Sequence, residues 1–253
     1  MLEKYIKDKL KEKEILLMTH IVAGYPSYED SYKIIKSMVN AGVDLMELQI
    51  PFSEPIADGP VILNANQIAL QKGATVQKCL ELAKKVSNDF DIPFLFMSYC
   101  NIIYKYGISE FVKKSAEYNL KGMIIPDLPH EEGQEYLSAM NENNLEPIFL
   151  FSPTTPLERM KEIATHAKGF IYCVARKGVT GLNTNFSKNL DKYLSDCKKA
   201  TNLPLALGFG VKEKKDIDFL KGKVEIAIIG TETIRLIDNK GINAVEKFIK
   251  NLR

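Results

Sequence analysis

The stretch Val43-Asp44-Leu45-Met46-Glu47-Leu48-Gln49-Ile50-Pro51-Phe52-Ser53-Glu54-Pro55-Ile56-Ala57-Asp58-Gly59-Pro60 decides how the chain is read. Its first half is a short apolar run of the length of a buried strand. Its second half is a loop stiffened by Pro51, Pro55 and Pro60, each of which fixes its own φ and restricts the residue before it. Glu47 stands near the C-terminal end of the strand among bulky apolar neighbours, where a carboxylate costs free energy unless something pairs or uses it. A stiff loop can hold Asp58 at a set distance from Glu47, as an acid/base pair needs. Taken alone, each residue is ordinary, since a strand Glu usually faces solvent and Asp-Gly usually marks a turn. The pairing across three prolines is what singles them out.

The same strand-and-polar-turn unit recurs in both directions. Candidate strands lie at 15–22, 43–49, 93–98, 121–125, 146–151, 169–174, 204–207 and 224–229. Amphipathic stretches at 28–40, 75–88, 109–118, 131–143, 156–166, 187–199 and 213–220 separate them, and 231–251 follows the last. Eight strands, each followed by a helical pattern, predict an α/β fold, a (β/α)8 TIM barrel, with 2–12 as an extra N-terminal helix. An open doubly wound sheet is the competing architecture, but no linker or charge block breaks the series. One catalytic domain spanning 1–253 is the expectation.

Composition narrows the function classes. With 34 basic against 32 acidic residues, the chain lacks the basic excess of a dedicated nucleic-acid binder. Cys79, Cys100, Cys173 and Cys197 form no CxxC pair, which argues against disulfides and zinc and suits a reducing cytoplasm. His20, His130 and His166 are far apart and suggest no metal site. The N-terminus is charged and amphipathic, and no segment approaches the ~18 apolar residues of a membrane span. A soluble cytoplasmic protein is expected.

In such barrels the active site lies at the C-terminal ends of the strands, and phosphate often sits after strands seven and eight. Glycine turns fall there. Gly178-Val179-Thr180-Gly181 follows strand six, Gly208-Phe209-Gly210 strand seven, and Gly230-Thr231 opens the helix after strand eight. Glycines let backbone N–H groups approach an anion, and a helix N-terminus adds its positive end. Converging at one mouth, these turns predict a phosphate cradle.

Together these motifs resemble the tryptophan synthase alpha subunit family over nearly the whole chain. The run Glu47 to Pro60 resembles the family's most specific motif. Ala23-Gly24-Tyr25-Pro26, Met97-Ser98-Tyr99-Cys100-Asn101, Pro126-Asp127-Leu128-Pro129 and Ser152-Pro153-Thr154-Thr155-Pro156 resemble further motifs in the family's order.

The resemblance implies retro-aldol cleavage of indole-3-glycerol phosphate to indole and glyceraldehyde 3-phosphate. It implies Glu47 as general acid/base and Asp58 as the acceptor of the indole N–H. Tyr172 would stand near Glu47 and the substrate, although the run Phe170-Ile171-Tyr172 by itself favours a core aromatic. Ile62, Phe96, Tyr99, Ile124 and Phe209 would line the indole pocket, and Thr180 would belong to a closing loop. Gly181, Gly208, Gly210, Gly230 and Thr231 would hold phosphate. The chain would use no cofactor or metal of its own. Its partner would be a beta subunit carrying pyridoxal phosphate, with 51–60, 99–106 and 176–190 as interface loops.

The chain departs from the family at Gln49 (usually Gly), Glu54 (usually Asp), His20 (often aromatic) and Gly230-Thr231, where Gly-Ser normally precedes the last helix, with Glu232 next to it. These departures support an alternative expectation, an allosteric activator subunit with weak catalysis. A sugar-phosphate isomerase is a third reading, disfavoured by the apolar lining.

Overall fold

The computed structural model describes residues 1–175, 184–208 and 210–253, with the backbone alone over 184–188. Among the described residues, parallel strands β1 (Leu16–Val22), β2 (Leu45–Gln49), β3 (Phe94–Met97), β4 (Gly122–Ile124), β5 (Glu146–Phe151), β6 (Ile171–Val174), β7 (Leu205–Gly208) and β8 (Ile226–Ile229) pair in sequence order, and β8 pairs back with β1. The sheet closes into a TIM barrel, and the open-sheet alternative falls.

Both faces of each strand are covered, which is why the strands read as near-continuous apolar runs. Side-chain alternation sorts them into two layers. Leu16, Met18, Leu45, Leu95, Met97, Ile124, Ile148, Ala206, Ile226 and Ile228 pack into one interior cluster. Leu17, Ile21, Met46, Leu48, Phe94 and Phe96 join the layer beneath the helices.

The surrounding helices are α1 (Leu2–Lys9), α2 (Tyr28–Asn40), α3 (Pro60–Gln71), α4 (Val76–Asp89), α5 (Cys100–Tyr106), α6 (Ile108–Glu117), α7 (Gln134–Glu142), α8 (Leu157–His166), α9 (Thr184–Ala200), α10 (Lys214–Leu220), α11 (Thr231–Lys240) and α12 (Asn243–Asn251). Two were not expected. α3 begins inside the proline-rich loop with Pro60 at its first turn, where a missing N–H costs nothing. α5 occupies 100–106, which the sequence suggested was an interface loop. The expected helix at 231–251 is two helices, divided where Gly241 takes φ +76°.

α1 plugs the floor of the barrel. Leu2 and Ile6 enter the interior cluster, while the buried Glu146 carboxylate accepts from Leu2 N at 3.1 and 3.0 Å and pairs with the terminal ammonium. The opposite end is left for chemistry.

Candidate active site

The register of β1 against β2 sets up the centre of the site. His20 pairs with Glu47 and Val22 with Gln49 across the parallel ladder, so His20 and Glu47 share one face. Counting by twos from Met18 and Leu45 places His20, Glu47 and Gln49 on the interior face, above the apolar cluster. His20 Nδ1 and Glu47 Oε1 lie 2.9 Å apart, with both side chains almost fully buried. Gln49 Nε2 donates to Asp58 Oδ2 at 2.6 Å, which ties the loop carboxylate to the strand.

Side chains from two further elements fix the loop. Tyr99, at the end of β3, is fully buried and stacks on Phe52 with ring centroids 5.2 Å apart. Its hydroxyl accepts from Ala57 N at 3.2 Å and lies beside Asp58. Asn66 of α3 accepts from Phe52 N at 2.9 Å and donates to Ile62 O at 2.8 Å. The loop is thus anchored as well as stiff.

The electrostatics are those of a buried polar cluster. Burial raises the Asp58 pKa, against the opposing pull of His20, Gln49 and Tyr99. Burial disfavours a charged His20 ring, but the hydrogen bond and charge of Glu47, with Asp58 and Gln49, outweigh it and leave the pKa raised. Tyr172 is held far above the usual phenol range by burial and by the charges of Glu47 and Asp58. Asp58 is therefore partly buried and held by Gln49 and Tyr99.

Buried polar atoms normally find partners. Here His20 Nε2, Glu47 Oε2 and Gln49 Oε1 have none among the described residues, although each is buried. Such a group costs about 1–3 kcal/mol when left unsatisfied. Three together at the mouth of a barrel mark a place that a polar ligand completes.

Other expected site residues are distributed unevenly. Ile124 lies in the interior cluster with Tyr99, and Tyr172 packs against it. Phe96 does not line the mouth. It is one residue out of phase with Leu95 and Met97, and so faces outward onto Phe111 of α6, with centroids 5.5 Å apart. Ile62 sits on α3 against a separate cluster of Val22, Tyr25, Ala65, Ala69 and Ile234. Gly208 leaves room for the Tyr172 ring, since a Cβ there would lie 3.4 Å from it. Gly210 takes φ +79° with open space around its Cα, and Gly230 caps the N-terminus of α11, where Thr231 begins the helix. Glu232 lies 3.5 Å from Arg235 of its own helix. Thr180, Gly181 and Phe209 lie outside the described residues.

Away from the mouth, His130 stacks on His166 at 4.3 Å beside Glu131 and Glu162. Arg159 bonds both carboxylates, so the group is an ion-pair network as it stands.

His20 and Gln49 are the site residues that the sequence presented only as departures. The signal for them was parity, since each lies two residues beyond an interior apolar position of its strand.

The family model for the tryptophan synthase alpha chain matches residues 6–253. The chain belongs to the tryptophan synthase alpha chain family. A family member from Desulforapulum autotrophicum is 60% identical over 252 residues, covering 100% of both chains. One from Syntrophotalea carbinolica is 57% identical over 253 residues, again covering 100% of both. Among solved structures, tryptophan synthase subunit alpha from Campylobacter jejuni superposes with a TM-score of 0.86 at 30% identity, covering 96% of this chain and 98% of that one.

Proposed function

We propose that this chain cleaves indole-3-glycerol phosphate by a retro-aldol reaction and passes the indole to a beta subunit for tryptophan synthesis. The observation that carries the reading is Glu47: an interior carboxyl at the barrel mouth with one oxygen held by His20 and the other without a hydrogen-bond partner among the described residues. In this mechanism the Glu47 carboxyl gives its proton to indole C3, and the ring becomes cationic. Asp58 accepts a hydrogen bond from the ring N–H and stabilises that charge. The C3–side-chain bond then breaks, its electron pair returns to the ring, and the side-chain hydroxyl gives its proton back to Glu47. Indole and glyceraldehyde 3-phosphate leave, and the carboxyl is restored.

Tyr99, Ile124 and Tyr172 are the described side chains placed to flank the indole, while Phe96 plays no direct part. Gly210, Gly230 and Thr231 supply backbone N–H groups and a helix N-terminus for the phosphate. The whole chain acts as one catalytic domain. It needs no cofactor of its own, and pyridoxal phosphate belongs to the beta subunit. Among the described residues no helix is long and apolar enough to cross a membrane, and a cytoplasmic setting suits the pathway and the four free cysteines. The activator-only alternative is not favoured, because His20 and Gln49 hold the two carboxylates rather than displacing them.

The test is steady-state indole release from indole-3-glycerol phosphate by the purified chain, with and without the beta subunit. Release that the partner accelerates is expected. A folded chain that releases none in either condition would overturn the reading.

A further inference from the structure

Glu47 Oε1 has a close partner on the neighbouring strand, and the Tyr172 hydroxyl of β6 also lies against the carboxylate. His20 Nδ1 reaches it at 2.9 Å because the register pairs the two residues on the interior face. Both side chains are almost fully buried, so the contact excludes water and tolerates little movement. Among the described residues, the other carboxyl oxygen, Oε2, is buried without a hydrogen-bond partner, as is the far ring nitrogen, Nε2. On the β8 side, a Cβ built at Gly230 would lie 3.5 Å from His20 Cβ, so the histidine stands between Glu47 and the start of α11.

We propose that His20 is a positioning residue for the general acid/base, its Nδ1 holding Glu47 Oε1, so that the proton Glu47 gives to carbon and later recovers from the hydroxyl is carried on Oε2. This rests on the lyase reading above. The reaction asks Glu47 to give a proton to carbon and then recover one from a hydroxyl. A carboxyl that rotates freely must be aimed twice. One pinned through Oε1 presents the same lone pair to both atoms.

Among the described residues, the ionisable and polar groups facing His20 are Glu47 and Gln49 from β2 and Asp58 from the loop before α3; Tyr172 of β6 faces the same two carboxylates. Glu47 and Asp58 both favour a charged ring, so His20 retains its ring proton to higher pH than an isolated histidine would.

Two independent arms test this. The first follows the histidine ring signals of the full chain by NMR across pH, with His20 assigned by its loss in His20→Asn. The His20 ring is expected to titrate above the ordinary 6.5, and to move down in Glu47→Gln. Titration at or below 6.5 in the wild type, or a titration indifferent to Glu47→Gln, overturns the pair, whatever the activity.

The second arm reads kcat and KM for cleavage against pH in the complex. His20→Phe is expected to lower kcat by about 10–100-fold with little change in KM, as misplacement of a reacting group does. His20→Asn keeps a hydrogen-bonding group near Nδ1 without a titrating ring. It is expected to recover most of kcat at its optimum, with the alkaline limb displaced from its wild-type position. Unchanged kcat in His20→Phe, a loss confined to KM, or a wild-type limb retained in His20→Asn overturns the proposal. Absence of indole from the wild type is the separate failure of the lyase reading, and the NMR arm still decides the pair.

Discussion

Replacing Gln49 with Met separates the amide's chemistry from its volume. Met has nearly the same length and fills the same fully buried site, so a cavity is avoided. What disappears is the 2.6 Å bond from Nε2 to Asp58 Oδ2, together with the unpartnered Oε1. A hydrogen bond to a charged group is worth about 1.5–3 kcal/mol. If Asp58 stabilises a cationic ring, that energy acts on the transition state, and kcat/KM is expected to fall by about 10–150-fold. Fold stability should fall by no more than about 3 kcal/mol, the upper worth of that bond, because the swap conserves volume.

A second signature is direction. Gln49 is one of the groups holding the Asp58 pKa down against burial, so its loss raises that pKa further. Asp58 must be ionised to work, and the acid limb of kcat therefore moves to higher pH. The assay is indole release across pH, with a urea titration beside it. A variant with wild-type kcat/KM and an unmoved acid limb would refute the claim that Gln49 holds a working Asp58.

Three further predictions concern the frame of the site. Phe96→Ala should cost about 3–5 kcal/mol by emptying the contact with Phe111, yet leave KM unchanged in the folded enzyme, as thermal unfolding and kinetics would read; a raised KM with intact stability would return Phe96 to the pocket. Gly122→Ala places a Cβ 2.5 Å from the Glu146 carbonyl oxygen, so β4 and β5 must part. About 1–3 kcal/mol of overpacking is expected, with kcat per folded molecule unaltered because the clash lies at the barrel floor, and an unchanged Tm would contradict it. The raised His20 pKa means that the folded chain binds more protons than the unfolded one above 6.5. The stability from that pair is complete below 6.5 and is lost as pH rises through the folded value. Urea midpoints at about pH 6 and about pH 9 should differ more for the wild type than for His20→Asn.

The strands were legible because a barrel strand is covered on both faces and reads as an apolar run closed by Gly, Pro or a polar turn. Glu47 and Asp58 were legible as a pair, because a loop stiffened by three prolines joins them, although each alone has an ordinary explanation. α3 was not, because it starts at Pro60 within a loop signal and carries Asn64, Asn66 and Gln67 among its apolar residues. Phe96 was misassigned because an apolar residue in β3 looks the same whichever way it faces. Only the phase set by Leu95, Met97 and Tyr99 sends it to the helices. His20 and Gln49 stood out as unusual, but their partners depend on the β1–β2 register, which no local pattern carries.

The measurement closest to the central claim is indole release by Glu47→Gln. The amide matches the carboxyl in shape but can neither give a proton to carbon nor take one from the hydroxyl. The account predicts a folded protein that still binds the beta subunit and has lost cleavage by at least about 100-fold, the lower end of what general acid/base catalysis supplies. Turnover near that of the wild type would contradict it.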